Sequence, residues 1–176
     1  MAQPATLHGF HIDLADLDRG VYETLDLRVA RHPSETAPHV VLRVLAYALE
    51  YGPGLAFGRG ISTDEAALSA TDDTGQLHLW VDVGAPSADR LHKATKLARD
   101  VAVYTARDLG ALATSLHGIH RAQAVRLVGL PEAFVADLAH RLDRRNDWGL
   151  QHSEGTLYVT VGGVTCEAAL VRRFLG

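Results

Sequence analysis

A handful of carboxylates and one pair of lysines carry the chemical potential of this chain. Asp82 ends the apolar run "LHLWVDV" (77–83), immediately before "GAP". On a strand, Leu77, Leu79, Val81 and Val83 point one way and His78, Trp80 and Asp82 the other, so the acid shares its face with an aromatic ring at the strand's carboxyl end. That end is where α/β sheets bind ligands; the alternative is a carboxylate that caps the Gly84 turn or the next helix. Glu35 is the second candidate. If a helix covers it, positions 35, 42, 46 and 49 lie in line, and Leu42, Ala46 and Leu49 form the apolar stripe. An inward acid needs a cation, a metal or N–H donors, although a Glu in a first turn also suits the helix dipole. Asp64 and Glu65, followed by Asp72 and Asp73, occupy a polar loop and gain meaning only by converging with Asp82. Hard cations such as Mg²⁺ bind one or two carboxylates together with water and phosphate oxygens. Lys93 and Lys96, the only lysines, stand a turn apart after Asp82. A lysine beside a metal-bound phosphate stabilises developing negative charge; otherwise it is a solvated surface group.

Other constellations are weaker. His117 and His120 share a helical face but lack the further ligands zinc requires. Cys166 reads as a buried small hydrophobe rather than a nucleophile. Ser34 beside His32 reads as a helix cap rather than part of a triad. The glycines of "GLAFGRG" lack phosphate-loop spacing. Arg141, Arg144 and Arg145 form a basic cluster with Trp148 nearby, either a phosphate-contacting rim with a stacking ring or a basic helix end favoured by the dipole.

The elements that must position these residues follow from pattern. Alternation within 7–14 and 25–29 around "DLDRG" (16–20) predicts a β-hairpin. A helix over 34–50 is capped by Ser34 and stopped by "YGPG". A strand over 55–61 has glycines that signal a bulge or close backbone approach, and a polar loop of about a dozen residues leads to the strand at Trp80. Then come a helix (87–98), a strand (101–106), a helix (107–118), a strand (124–129), a helix (131–142), and strands near 148–152, 156–161 and 164–171. This is a mixed α/β order, an α+β mixed sheet with an antiparallel front and a βαβ-like middle.

The 176 residues fit a single domain over 1–176. One cysteine excludes an intramolecular disulfide and fits a reducing, cytoplasmic setting. No signal-peptide pattern and no membrane-spanning apolar stretch are present, so no membrane partner is expected. Residues 1–88 hold five Arg against twelve acids, and residues 89–176 hold twelve Lys/Arg against nine. That balance does not by itself mark a nucleic-acid binder.

The order of motifs "ADLDRGVYETLDLRVARHPSET", "LRVLAYAL", "RGISTDE", "LHLWVDVGAPSADRLHKA" and "VAVYT" resembles the YaeQ family of small bacterial proteins over roughly residues 5–105. The resemblance implies a variation of the PD-(D/E)XK restriction-endonuclease-like core with an N-terminal β-hairpin. It implies a divalent-metal-dependent phosphodiester hydrolase acting on DNA or RNA, or a non-catalytic nucleic-acid- or protein-binding module of the same ancestry. In that superfamily a helix acid, a strand acid and a (D/E)-x-K strand hold the metal. Carried over, Glu35 matches the helix acid, Asp64 or Glu65 the first strand acid and Asp82 the third-motif acid, a set that would hold Mg²⁺ or Mn²⁺. The motif lysine belongs at 84, which is Gly here; Lys93 matches a lysine position of YaeQ relatives and would reach back. Two further departures are Ala66 and Ser69, where the family often has Pro and Trp, and His39, where it often has Arg.

Overall fold

The computed structural model describes residues 3–59 and 64–176. Along the chain the elements run β1 (Thr6–Asp16), β2 (Val21–Arg31), α1 (Ala37–Leu49), β3 (Leu55–Phe57), β4 (Leu68–Thr71), β5 (Leu77–Val83), α2 (Ala88–Leu97), β6 (Asp100–Thr105), α3 (Leu109–Ser115), β7 (Val125–Gly129), α4 (Glu132–His140), β8 (Arg145–Ser153), β9 (Thr156–Val161), β10 (Val164–Ala169) and β11 (Val171–Phe174). The chain is α+β, with two mixed sheets and four α-helices among the described residues. It divides into two compact units, Met1–Val41 with Pro131–Leu170, and Leu42–Leu130 with Val171–Gly176.

The first unit carries a five-stranded sheet in the order β10-β9-β8-β1-β2. The hairpin expected from the alternation is a full antiparallel ladder from Thr6↔Arg31 to Asp16↔Val21. β8 pairs parallel to the other edge of β1. Period two sends Phe10, Ile12 and Leu14 inward with Trp148, Leu150, Leu157 and Val159, all buried. Phe10 and Trp148 meet edge to face at 5.1 Å. β8 starts at Arg145, three residues earlier than the pattern predicts, because its first inward position, Asn146, is polar. Asn146 satisfies its amide by donating to the Gly9 and Asp143 carbonyls. The basic cluster straddles two elements, Arg141 at the C-terminal cap of α4, as expected of a basic helix end, and Arg145 at the entry to β8, while Trp148, buried in the core, has no face left for stacking on a base.

The second unit carries a six-stranded sheet in the order β11-β7-β6-β5-β4-β3. β5, β6 and β7 are parallel, joined by α2 and α3 as βαβ crossovers. One face buries Trp80, Val101, Val103, Val125 and Leu127 against Leu91, Ala94 and Leu112. The other buries Val81, Ala102, Tyr104 and Val128 completely. Parallel strands covered on both faces read as continuous apolar runs, so the "second face" of β5 is core as well.

Three boundaries differ from the pattern. Part of the expected polar loop is β4, whose Leu68 and Ala70 are buried while Ser69 and Thr71 face outward; its small residues disguise the alternation. β3 ends at Phe57, and residues 60–61 of the expected strand lie outside the described residues. Gly58 follows it where a Cβ would overlap the Ala66 carbonyl oxygen, the close approach its glycine signalled. The last expected strand is two, β10 and β11, which belong to different sheets.

Candidate functional site

Glu35 belongs to the first unit. Helix α1 begins at Ala37, so Glu35 precedes it instead of opening its first turn. Thr36 rather than Ser34 caps the helix: its hydroxyl accepts the His39 N–H at 3.3 Å and its carbonyl the Val40 N–H at 3.2 Å. The Ser34 hydroxyl turns to the His32 ring at 2.7 Å. Pro38 is tolerated because a first turn needs no N–H from it. Glu35 is nonetheless buried, as the inward stripe predicts, and so are Leu42, Ala46 and Leu49. Its carboxylate lies 2.5 Å from His39 Nδ1, so the His that replaces the family's frequent Arg still reaches this acid. Arg31 Nε donates to the Glu35 carbonyl oxygen at 2.9 Å.

Asp82, Asp64, Glu65 and Lys93 all belong to the second unit. Asp82 is buried at the carboxyl end of β5, with Arg90 folded over it. Arg90 Nε donates to Oδ2 at 2.7 Å and Nη2 to Oδ1 at 2.8 Å. The Ala67 N–H adds a bond to Oδ1 at 3.4 Å. The same Nη2 donates to the Glu65 carbonyl oxygen, and the guanidinium carbon stands 5.5 Å from the Trp80 ring centroid. One arginine thus ties the strand acid, the loop acid's backbone and the aromatic ring together. A fork of this kind is the strong geometry for an arginine–carboxylate pair.

The Glu65 side chain faces Arg59, accepting its backbone N–H at 3.0 Å with Nε at 3.5 Å. Lys93 Nζ stands 3.4 Å from Asp64 Oδ1, and both side chains are at least half exposed. Such an exposed pair contributes at most about 1 kcal/mol. Arg90 was not among the residues singled out by spacing. The available signal was its place four residues before Ala94 on the buried stripe of α2, where a cation needs an inward partner.

The donor set was tested against a divalent metal. Both Asp82 oxygens are held by a cation, Glu65 faces Arg59 and Asp64 faces Lys93. Among the described residues no three His, Cys, Asp or Glu side chains form a group that could hold a metal ion. As arranged, these residues do not fit Mg²⁺ or Mn²⁺, because carboxylate oxygens must be bare to ligate.

The YaeQ family model matches residues 1–170. The chain belongs to the YaeQ family. It is 37% identical over 107 residues to "Uncharacterized protein YaeQ" of Escherichia coli (strain K12), covering 60% of this chain and 59% of that protein. To the protein of the same name from Salmonella typhi it is 38% identical over 105 residues, covering 59% and 58%. The match therefore spans under two thirds of the length of these curated relatives. Two crystal structures superpose over nearly the whole YaeQ-family chain. The YaeQ protein from Pseudomonas syringae has a TM-score of 0.89 at 34% identity, covering 99% of this chain and 100% of that one. The YaeQ protein from Xanthomonas axonopodis pv. citri has a TM-score of 0.89 at 28% identity, covering 97% and 98%.

The remaining candidates find ordinary partners. His117 lies beyond α3, with Nδ1 at 2.9 Å from the Thr114 carbonyl, while the His120 backbone donates to the His92 ring. Cys166 is half-buried and donates to Asp137 at 2.9 Å. Burial and that carboxylate push its thiol upward, away from the thiolate a nucleophile needs. Arg141 pairs with Asp137 at 3.3 Å. Among the described residues no helix is long and apolar enough to cross a membrane.

Proposed function

We propose that this YaeQ-family chain is a non-catalytic nucleic-acid-binding module of nuclease ancestry, built on a variation of the PD-(D/E)XK core. The observation that carries this reading is the Arg90 fork on both oxygens of Asp82. A buried carboxylate so neutralised is part of the architecture, since a metal would have to displace a guanidinium from it. The order α1, β3, β4, β5, α2, β6, with the acid closing the strand before α2, supports the ancestry. Support for a phosphate partner comes from the second unit, where eleven Lys/Arg outnumber nine acids. Lys93 and Lys96 stand exposed on α2.

One observation favours a second reading, metal-dependent phosphodiester hydrolysis through Asp64 or Glu65, Asp82 and Lys93 with Mg²⁺ or Mn²⁺ once Arg90 is displaced. Arg90 already holds the Glu65 backbone and Asp82 side by side. The experiment that separates the readings uses labelled single- and double-stranded DNA and RNA, with Mg²⁺, Mn²⁺ or chelator. Anisotropy should report binding in chelator that weakens steeply with salt and weakens further in a Lys93→Ala/Lys96→Ala variant, with the strands left intact. Metal-dependent cleavage that disappears in Asp82→Ala would establish the catalytic reading instead. Strands that neither bind nor break would leave a protein as the partner.

A further inference from the structure

The second unit contains a second carboxylate–arginine pair, half-buried and of a different geometry. Glu50 follows α1 and hydrogen-bonds back to it through its N–H. Its Oε1 accepts both the Tyr104 hydroxyl at 2.6 Å and Arg126 Nη1 at 2.7 Å. Tyr104 is fully buried; burial, then the Glu50 charge, holds its hydroxyl protonated as a donor. Burial opposes the Arg126 charge, but Glu50 more than restores it. In contrast to Arg90, which meets two oxygens with two nitrogens, Arg126 places one nitrogen on an oxygen already shared with a tyrosine. Glu50 thus engages Tyr104 and Arg126 through Oε1 alone, and the Arg126 guanidinium also interacts with the Tyr104 hydroxyl.

Both residues line a cavity of about 250 Å³, together with His78, Leu79, Asp100, Val101 and Phe174. It lies at the amino ends of the parallel strands, since Leu79 pairs with Asp100 at the start of β6 and Arg126 pairs with Phe174 near the start of β7. Asp82 sits at the opposite end of β5. The cavity therefore offers Glu50 Oε2 and the Asp100 carboxylate, which Arg99 pairs at 3.1 Å, as acceptors beside the Arg126 guanidinium. Leu79 and Val101 supply apolar wall and Phe174 a largely exposed ring. Arg90 forks onto its acid, whereas this pair meets through one oxygen and keeps the other open beside the cavity.

We propose that this cavity binds a planar heterocycle of nucleobase size whose edge sets an N–H donor beside a carbonyl acceptor, as uracil and guanine do. The N–H donates to Glu50 Oε2, the carbonyl accepts from Arg126, and the ring lies against Phe174. The proposal does not depend on the α2 lysines, and its ligand is either a free nucleoside or a base within a strand. Its test is saturation-transfer NMR and calorimetry of the intact protein with uridine, guanosine, N3-methyluridine and a uridine hexanucleotide. Uridine or guanosine should bind, and N3-methyluridine, which lacks the donor, should bind at least about tenfold more weakly. Binding should weaken in Phe174→Ala, whose exposed position spares the fold, and in Glu50→Gln checked for an unchanged melting transition. Binding of the hexanucleotide alone, lost in Phe174→Ala, would make a nucleic-acid strand the source. No binding by any of the four, or equal binding of N3-methyluridine, would overturn the proposal. Hexanucleotide binding that needs Lys93 and Lys96 but ignores Phe174 would overturn it while leaving the α2 reading in place.

Discussion

At the residue scale, the decisive side chain is Arg90. Asp82 and Arg90 desolvate two charges, and their mutual attraction with the added bonds to Ala67 and Glu65 offsets that cost. Removing only the arginine strands a buried carboxylate. Arg90→Met should therefore destabilise the protein by about 3–5 kcal/mol in urea unfolding. Asp82→Asn in the same chain should recover part of the loss, so the double variant falls short of the sum of the singles. Additive losses would show that the two side chains do not interact in solution. Candidate acids were legible from spacing because strand parity and an inward stripe are local properties. Their counter-charges were not: Arg90 is eight residues from Asp82, across the Gly84 turn, and only folding brings it back.

At the element scale, helix α1 shows how a side chain can be mistaken for a cap. Ser34, Thr36 and Pro38 all suit a helix start, and sequence alone favoured the residue next to Pro33. The backbone chooses Thr36, because Ser34 is engaged by the His32 ring and Glu35 donates its N–H to the His32 carbonyl in a preceding turn. Thr36→Ala should cost about 1 kcal/mol, while Ser34→Ala should stay within about 0.5 kcal/mol; thermal melts of both variants compare them. The βαβ middle and the hairpin were readable because their apolar runs are long and their turns carry Gly, Pro or Asp. β4 and the start of β8 were not, since three small residues in a four-residue strand and the inward polar Asn146 hide period two.

At the scale of the whole molecule, charge governs the response to pH. Burial works against the Asp16 carboxylate, but hydrogen bonds from Arg19 and His152 outweigh it and hold its pKa below 3.8. Thr74 and the Gln76 N–H lower Asp72, and the Cys166 thiol and Arg141 lower Asp137. All three bind protons more tightly when unfolded. Their stabilisation is therefore complete above the unfolded value of 3.8 and is lost as pH falls through the folded values. The urea midpoint should fall on acidification below about pH 4, with a shallower slope in Asp16→Asn. His11 acts in the opposite sense. The Asp26 hydrogen bond raises it above 6.5, so its contribution is full below that value and disappears as pH climbs past the folded one. A midpoint insensitive to acid would show that these carboxylates are equally acidic in the unfolded chain.

The sequence by itself determined the element types, the inward acids, the separation into antiparallel and βαβ segments and the family resemblance, because each rests on periodicity or motif order over a few neighbouring residues. Tertiary structure alone decided that the strands divide between two sheets, with β10 and β11 parted by a single residue. It also decided that Asp82 is clamped and that Glu50 and Arg126 line a cavity. Glu50 and Arg126 alone are 76 positions apart. No local pattern encodes such partners, because a charge placed inward is satisfied by whichever residue the fold delivers.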